Sequence, residues 1–129
     1  MRTHDAVYLQ SIADHPHVRK WSGAREIDAD AQIYCRLDGG YLLFVPLAFD
    51  CWEIHISMLP KSPPAKPQVL RAIEWLRSEY EVHKFVAFIP SINRPARILA
   101  TACGFSQCGR IGGLAVIDGS RCDVLIYES

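Results

Sequence analysis

An acid and a base stand two positions apart in a segment that alternates. Cys51 to Leu59 places Trp52, Ile54, Ile56 and Met58 on one side and Glu53, His55 and Ser57 on the other. Side chains two residues apart in a strand share a face, so Glu53 and His55 project together. A carboxylate beside an imidazole is equipped to take a proton, directly or through a water. The same alternation also describes the polar face of a half-solvated strand with no chemistry at all. Other reactive side chains are less organised. His15 and His17 flank Pro16, and such a pair reads as a solvated turn rather than a metal site. The five cysteines, Cys35, Cys51, Cys103, Cys108 and Cys122, are odd in number, scattered and without a CxxC pair. They read as reduced, inert thiols. Cys103 and Cys108 with a histidine fit no common zinc spacing, so no metal is expected. No histidine stands in a sequence context that would activate either sulfur. Trp21, Trp52 and Trp75 read as core or contact residues, because no basic patch interleaves with them.

The elements that must position Glu53 and His55 follow from periodicity and turn residues. Asp5 to Ala13 reads as a short helix, and Pro16 disfavours helix at His15. A second short helix is predicted over Asp28 to Gln32, capped by Asp28. Ile33 to Leu37, the turn at Asp38-Gly39-Gly40, Tyr41 to Pro46, the turn over Leu47 to Asp50 and Cys51 to Leu59 predict an antiparallel meander. Pro60 to Pro67 holds four prolines and two lysines and reads as an extended loop. Val69, Leu70, Ile73 and Leu76 then mark an amphipathic helix to about Tyr80, with Pro67 at its start. Lys84 to Ile89 is nearly all apolar, as a buried central strand would be. Asn93 caps the next helix, Ala96, Leu99 and Cys103 form its buried face, and Gly104 ends it. Phe105 to Arg110, Gly112 to Ile117 and Cys122 to Glu128 read as strands. A strand–helix–strand unit between hairpins predicts an α/β mixed sheet with helices on both faces.

The chain has 129 residues, which fits a single domain over 1–129. Half the residues are hydrophobic and 22% are charged, the balance of an ordered globular protein. The 14 basic and 14 acidic side chains cancel, which gives no reason to expect nucleic acid or a membrane surface as partner. The N-terminus carries Arg2, His4 and Asp5 and lacks a secretory apolar stretch. The longest apolar run, Tyr41 to Phe49, contains a proline and is too short to span a bilayer. Reduced thiols and no leader together predict a cytoplasmic protein.

From Trp52 onward the order strand, loop, helix, strand, Asn93, helix and Gly104-Phe105 resembles the GNAT superfamily of acetyl-CoA-dependent N-acyltransferases. The segment PSINRPARILATACGF looks like that family's asparagine–helix–Gly-Phe signature. The likeness covers about half the chain. The first half resembles a branch of small GNAT-like proteins of tailed phages and prophages. The residues carrying this second likeness are His15-Pro16-His17-Val18-Arg19 and Trp52-Glu53-Ile54-His55. The resemblance implies a mostly antiparallel sheet with one splayed parallel pair. It also implies transfer of an acetyl group from acetyl-CoA to a primary amine on a small molecule or a protein. It would put acyl-CoA in the splay, with Met58 and Leu59 along the pantetheine arm. Lys61, Ser62, Ala65, Lys66 and Gln68 would lie at the phosphates, and Asn93 would reach in from the next strand's end. Glu53 or His55 would be the base, and a backbone N–H near Leu59 would polarise the carbonyl. C-terminal strands in this fold often pair between subunits, so a homodimer is among the implied partners.

Two departures stand against that pattern. The loop Lys61-Ser62-Pro63-Pro64-Ala65-Lys66-Pro67 has no glycine, and its three prolines have no N–H to offer a phosphate. Ala100 stands where many family members carry a tyrosine that protonates the departing thiolate. The alternative reading is therefore a GNAT scaffold without catalysis, serving as a binding or assembly module among phage structural proteins.

Overall fold

The computed structural model describes residues 1–129. The chain opens with a two-residue strand, Arg2–Thr3 (β1), and a helix, Ala6–Ala13 (α1). Asp5 caps α1 by accepting the Tyr8 N–H at 3.1 Å. A second helix, Pro16–Ser22 (α2), occupies the stretch expected to be only a turn. Pro16 does hold His15 in extended backbone. Its fixed φ also suits a first helical position, and the His15 ring accepts the His17 N–H at 3.1 Å. The helix expected over Asp28 to Gln32 shrinks to one turn. Asp28 does cap it, taking the Ala31 N–H at 3.1 Å, but Ile33 enters a strand immediately. Pairing of the β-branched and aromatic residues that follow wins over helix propagation.

The rest of the chain runs Ile33–Leu37 (β2), Gly40–Ala48 (β3), Cys51–Met58 (β4), Lys66–Glu79 (α3), Lys84–Pro90 (β5), Arg94–Ala102 (α4), Ser106–Ile117 (β6) and Ser120–Glu128 (β7). All seven strands form one sheet in the order β1-β2-β3-β4-β5-β7-β6. Only β4 and β5 run parallel. The break expected at Gly112-Gly113 is instead an irregularity within β6. Gly113 takes φ 62° there and gives its N–H to Asp123 at 2.8 Å. No helix is long and apolar enough to cross a membrane.

Alternation along the strands sorts the apolar residues into two cores. One face of the sheet carries Phe44, Trp52, Ile54, Phe85 and Leu125 against Val69, Ala72 and Leu76 of α3. Ala96 and Leu99 of α4 and Cys103 just after it pack, partly buried, onto the same core. The other face carries Tyr34, Tyr41 and Leu43 against Leu9 and Ile12 of α1 and Val18 of α2. Helices thus cover both faces, as the strand–helix–strand order requires.

The turn between β2 and β3 is tied to the loop between β4 and α3. The Leu59 N–H donates to the Gly39 carbonyl at 2.8 Å. Ser62 Oγ donates to the Leu59 carbonyl at 2.7 Å, and the Asp38 N–H donates to Gln68 Oε1 at 2.7 Å. Gly39 sits at φ 81°, and a Cβ there would clash with Ser62 Oγ and meet Ser62 Cβ at 2.9 Å. Gly39→Ala should therefore cost about 1–3 kcal/mol of stability, measured by denaturant unfolding. In a Ser62→Gly background the steric share should disappear, leaving the left-handed strain of about 1–2 kcal/mol. An unchanged midpoint in the single variant would contradict this packing.

Candidate active site

The parallel pair is held together over three residues only. Cys51 pairs with Lys84, Trp52 with Phe85 and Glu53 with Val86. Each strand is anchored more fully on its other edge. β3 pairs along the length of β4, and β7 pairs with Val86 to Pro90 of β5. Beyond Glu53 and Val86 the two strands part, and their facing backbone groups have no ladder partner. Buried Trp52 and Phe85 seal the closed end, and the Trp52 indole N–H donates to the Glu81 carbonyl at 3.0 Å. The gap opens into a cavity of about 340 Å³. Val69, Ala96, Leu99, Ala100 and Cys103 wall it on the α3/α4 face. Trp21, Ser22, Arg25, His55, Phe88 and Leu114 wall it on the other. The space thus passes through the sheet.

Glu53 and His55 lie on the α1/α2 side, because the cross-strand partner of His55 is Leu43, a member of that core. His55 Nε2 lies 2.6 Å from Glu53 Oε2. With Nε2–H donating to the carboxylate, Nδ1 keeps the free lone pair. Burial pushes the imidazole below its ordinary pKa. The Glu53 carboxylate pulls the other way, and the positive charge of Arg25 lowers it again. The net shift is downward, so His55 is neutral at pH 7 and holds a lone pair ready for a proton. His55 lines the cavity; Glu53 stands behind it and does not.

Of the residues assigned to a cofactor by resemblance, only Asn93 lines the cavity. Its side-chain oxygen caps α4 by accepting the Ala96 N–H at 3.3 Å, which leaves the amide NH₂ unused in that bond. Met58 and Ala65 pack onto the core beneath α3, and Leu59 onto the opposite core. The Leu59 N–H, expected to polarise a carbonyl, is already spent on Gly39. Gln68 holds the β2–β3 turn by accepting the Asp38 N–H, and Ser62 is spent on the Leu59 carbonyl. Lys61 and Lys66 are exposed and join no ion pair. No side chain caps the first turn of α3, so its N–H groups remain open to an anion. None of Pro60, Pro63, Pro64 and Pro67 enters the cavity wall. Ala100 does, and no tyrosine lines the cavity.

Trp21, Ser22 and Arg25 are the site residues that sequence reasoning passed over. They belong to α2 and the segment after it. The available signal was Pro16 as a helix start with Val18 as its buried anchor. Cys103 faces the cavity, but burial raises its thiol pKa, which keeps it protonated. Cys108 lies exposed on β6, away from it.

No family model and no curated protein matches the sequence. Solved structures do match in shape. A spermidine N-acetyltransferase from Vibrio cholerae, solved with CoA and spermine, superposes with a TM-score of 0.79 at 15% identity, covering 100% of this chain and 91% of its own. A GNAT-family acetyltransferase from Bacillus anthracis gives 0.75 at 14% identity, over 97% and 88% of the two chains. A ribosomal-protein-alanine N-acetyltransferase from Brucella melitensis gives 0.68 at 17% identity, over 96% and 90%. The seven-stranded sheet with one parallel, splayed pair between two layers of helix is the same in outline, and the chain has the GNAT acetyltransferase fold.

Proposed function

We propose that the protein is an N-acyltransferase that moves an acetyl group from acetyl-CoA to a primary amine. The observation that carries this reading is the cavity through the split sheet, with a neutral histidine on one side of it. Acetyl-CoA supplies the acyl carbonyl and a thiolate leaving group. The unpaired edges of β4 and β5 offer N–H and C=O groups to an extended amide-containing arm. The uncapped start of α3 and the unpaired cations Lys61 and Lys66 offer an anion site at the open end. Asn93 has an amide NH₂ to give within the cavity.

His55 takes the proton from the attacking amine as the C–N bond forms and the C–S bond breaks. Glu53 fixes the imidazole tautomer and stabilises its protonated form. A thiol has an ordinary pKa of about 8.5, so the sulfur can depart as thiolate without a phenol at Ala100. The apolar walls keep water from the thioester. The second reading, a phage or prophage accessory with a GNAT scaffold and no catalysis, draws on the glycine-free loop and its missing N–H donors. The two readings part on a single measurement.

Calorimetry with acetyl-CoA should give micromolar binding. Lys61→Ala/Lys66→Ala should weaken it about tenfold, the scale of one lost charge-assisted bond. No heat at hundreds of micromolar would favour the non-catalytic module. His55→Ala should lower turnover about 10²–10⁴-fold, the usual worth of a general base. Activity of the native protein should fall on acidification only below the ordinary histidine range, since the His55 pKa is depressed. Glu53→Gln removes the charge that raises that pKa, so the acid limb should move to still lower pH. A limb that stayed in place would remove His55 from the proton transfer.

A further inference from the structure

The acceptor half of the cavity has an unusual charge content. Its walls on the α1/α2 face are Trp21, Phe88, Pro90, Leu114 and Val124, with Ser22, His55 and Arg25 as the polar members. No aspartate or glutamate lines the cavity anywhere, and Arg25 is its one fixed charge. The Glu53 carboxylate next to it is taken by His55. The Arg25 guanidinium makes no ion pair and no hydrogen bond with the rest of the chain; only its carbonyl is used, by Gln10 Nε2 at 3.1 Å. It is half-buried, and its charge is felt at His55, whose pKa it lowers. A guanidinium without a protein partner at the wall of an apolar cavity is disposed to pair with an anion.

We infer that the acceptor is a primary amine that also carries a carboxylate, mounted on an apolar body, and that Arg25 reads the carboxylate. This rests on the acetyltransferase reading and narrows it to a substrate class. The planar guanidinium fork matches a carboxylate bidentately, which fixes orientation as well as affinity. Because Arg25 and His55 line the same face of the cavity, the carboxylate and the amine sit close together in the acceptor. An α-amino acid with an aliphatic or aromatic side chain meets all three demands. Its carboxylate faces Arg25, its amine faces His55, and its side chain lies against Trp21, Phe88 and Leu114. A polyamine supplies the amine but no carboxylate for Arg25. The Vibrio cholerae neighbour was solved with spermine, but a polycation here would find one unscreened positive charge and no acid to neutralise it. Arg25 also favours an amine delivered uncharged, because a nearby cation disfavours the ammonium form.

The test is acetyl transfer, followed by thiol release, to leucine and phenylalanine, to leucinamide and phenylalaninamide, to phosphoethanolamine and to spermine. Acetyl-CoA calorimetry on each variant runs beside it. Leucine and phenylalanine should exceed their amides at least tenfold in kcat/KM, mainly through KM. Arg25→Ala should collapse that ratio towards one, Arg25→Lys should keep part of it, and Arg25→Glu should invert it. Binding of acetyl-CoA in the Arg25 variants shows that the cofactor half is intact. Spermine or the amides as best acceptors, or a ratio indifferent to Arg25, overturns the inference and leaves the acetyltransferase reading standing. So does acetyl-CoA binding with no acetylation of any carboxylate-bearing amine. Preference for phosphoethanolamine overturns the carboxylate class and keeps Arg25 as an anion reader. Failure to bind acetyl-CoA overturns the acetyltransferase reading, and this one with it.

Discussion

Two strands that belong together for three residues and then separate decide everything else in this molecule. β4 and β5 are tied at Cys51/Lys84, Trp52/Phe85 and Glu53/Val86, and each has a second partner that keeps it straight beyond that point. Beyond that point each strand follows its outer neighbour, and the facing edges are left open. The closed end is plugged. Trp52 and Phe85 fill the closed end, with Phe44 and Phe105 packed against Phe85 at ring separations of 5.7 and 6.4 Å. Aromatic rings are suited to this because they are stiff and bury a large area with few rotors.

The second consequence is electrostatic. A cavity through a sheet is walled on both sides by core residues, so any charge placed there is poorly solvated. His55 responds by staying neutral, and Glu53 and Arg25 then act on it from opposite directions. Burial, the largest of the three effects, sets the sign of the shift. A histidine at the same strand position on a solvated face would be half protonated near pH 6.5 and less useful as a base at neutral pH. The face on which Glu53 and His55 project was legible in the alternation of Cys51 to Leu59. Their mutual contact and their burial were not, since alternation records only which face, never what covers it.

Legibility stops at a definite place. The meander, the amphipathic α3, the strand β5 and the capped α4 were readable because period, caps and glycines all agreed at local range, although β5 is buried on one face only, through Phe85, Ala87 and Ile89. Asn93 caps α4 and Gly104, at φ 92°, ends it. The first third is legible only in part. The helix after Asp5 and the extended backbone at His15 follow from local signals, but the helix that Pro16 starts does not, and Asp28 caps one turn rather than a helix. Both differences involve segments of seven residues or fewer, where a single capping bond is the whole local signal and tertiary packing decides the outcome. The cost was functional. α2 brings Trp21 and Ser22 to the cavity and leads into Arg25, and none of these was among the candidate residues.

The loop from Pro60 to Pro67 is where family resemblance and physical reading diverge most. Glycine in such a loop serves close approach of backbone to phosphate, and this loop has none. It also lacks the donors that prolines remove. Yet it is not slack. Gln68 and the Leu59 N–H bind it to the β2–β3 turn at 2.7 and 2.8 Å, Ser62 Oγ closes it on the Leu59 carbonyl at 2.7 Å, and the prolines restrict what remains. Lys61 is held at φ 61°, a conformation that a non-glycine residue adopts at a cost of about 1–3 kcal/mol unless its surroundings enforce it. Those surroundings are the same turn contacts. A glycine loop wraps its anion with backbone; a rigid proline loop presents side chains from a fixed frame. The loss of glycine and the left-handed backbone at Lys61 are then two aspects of one rigid loop, tied to the β2–β3 turn, which leaves Lys61 and Lys66 exposed beside the uncapped start of α3.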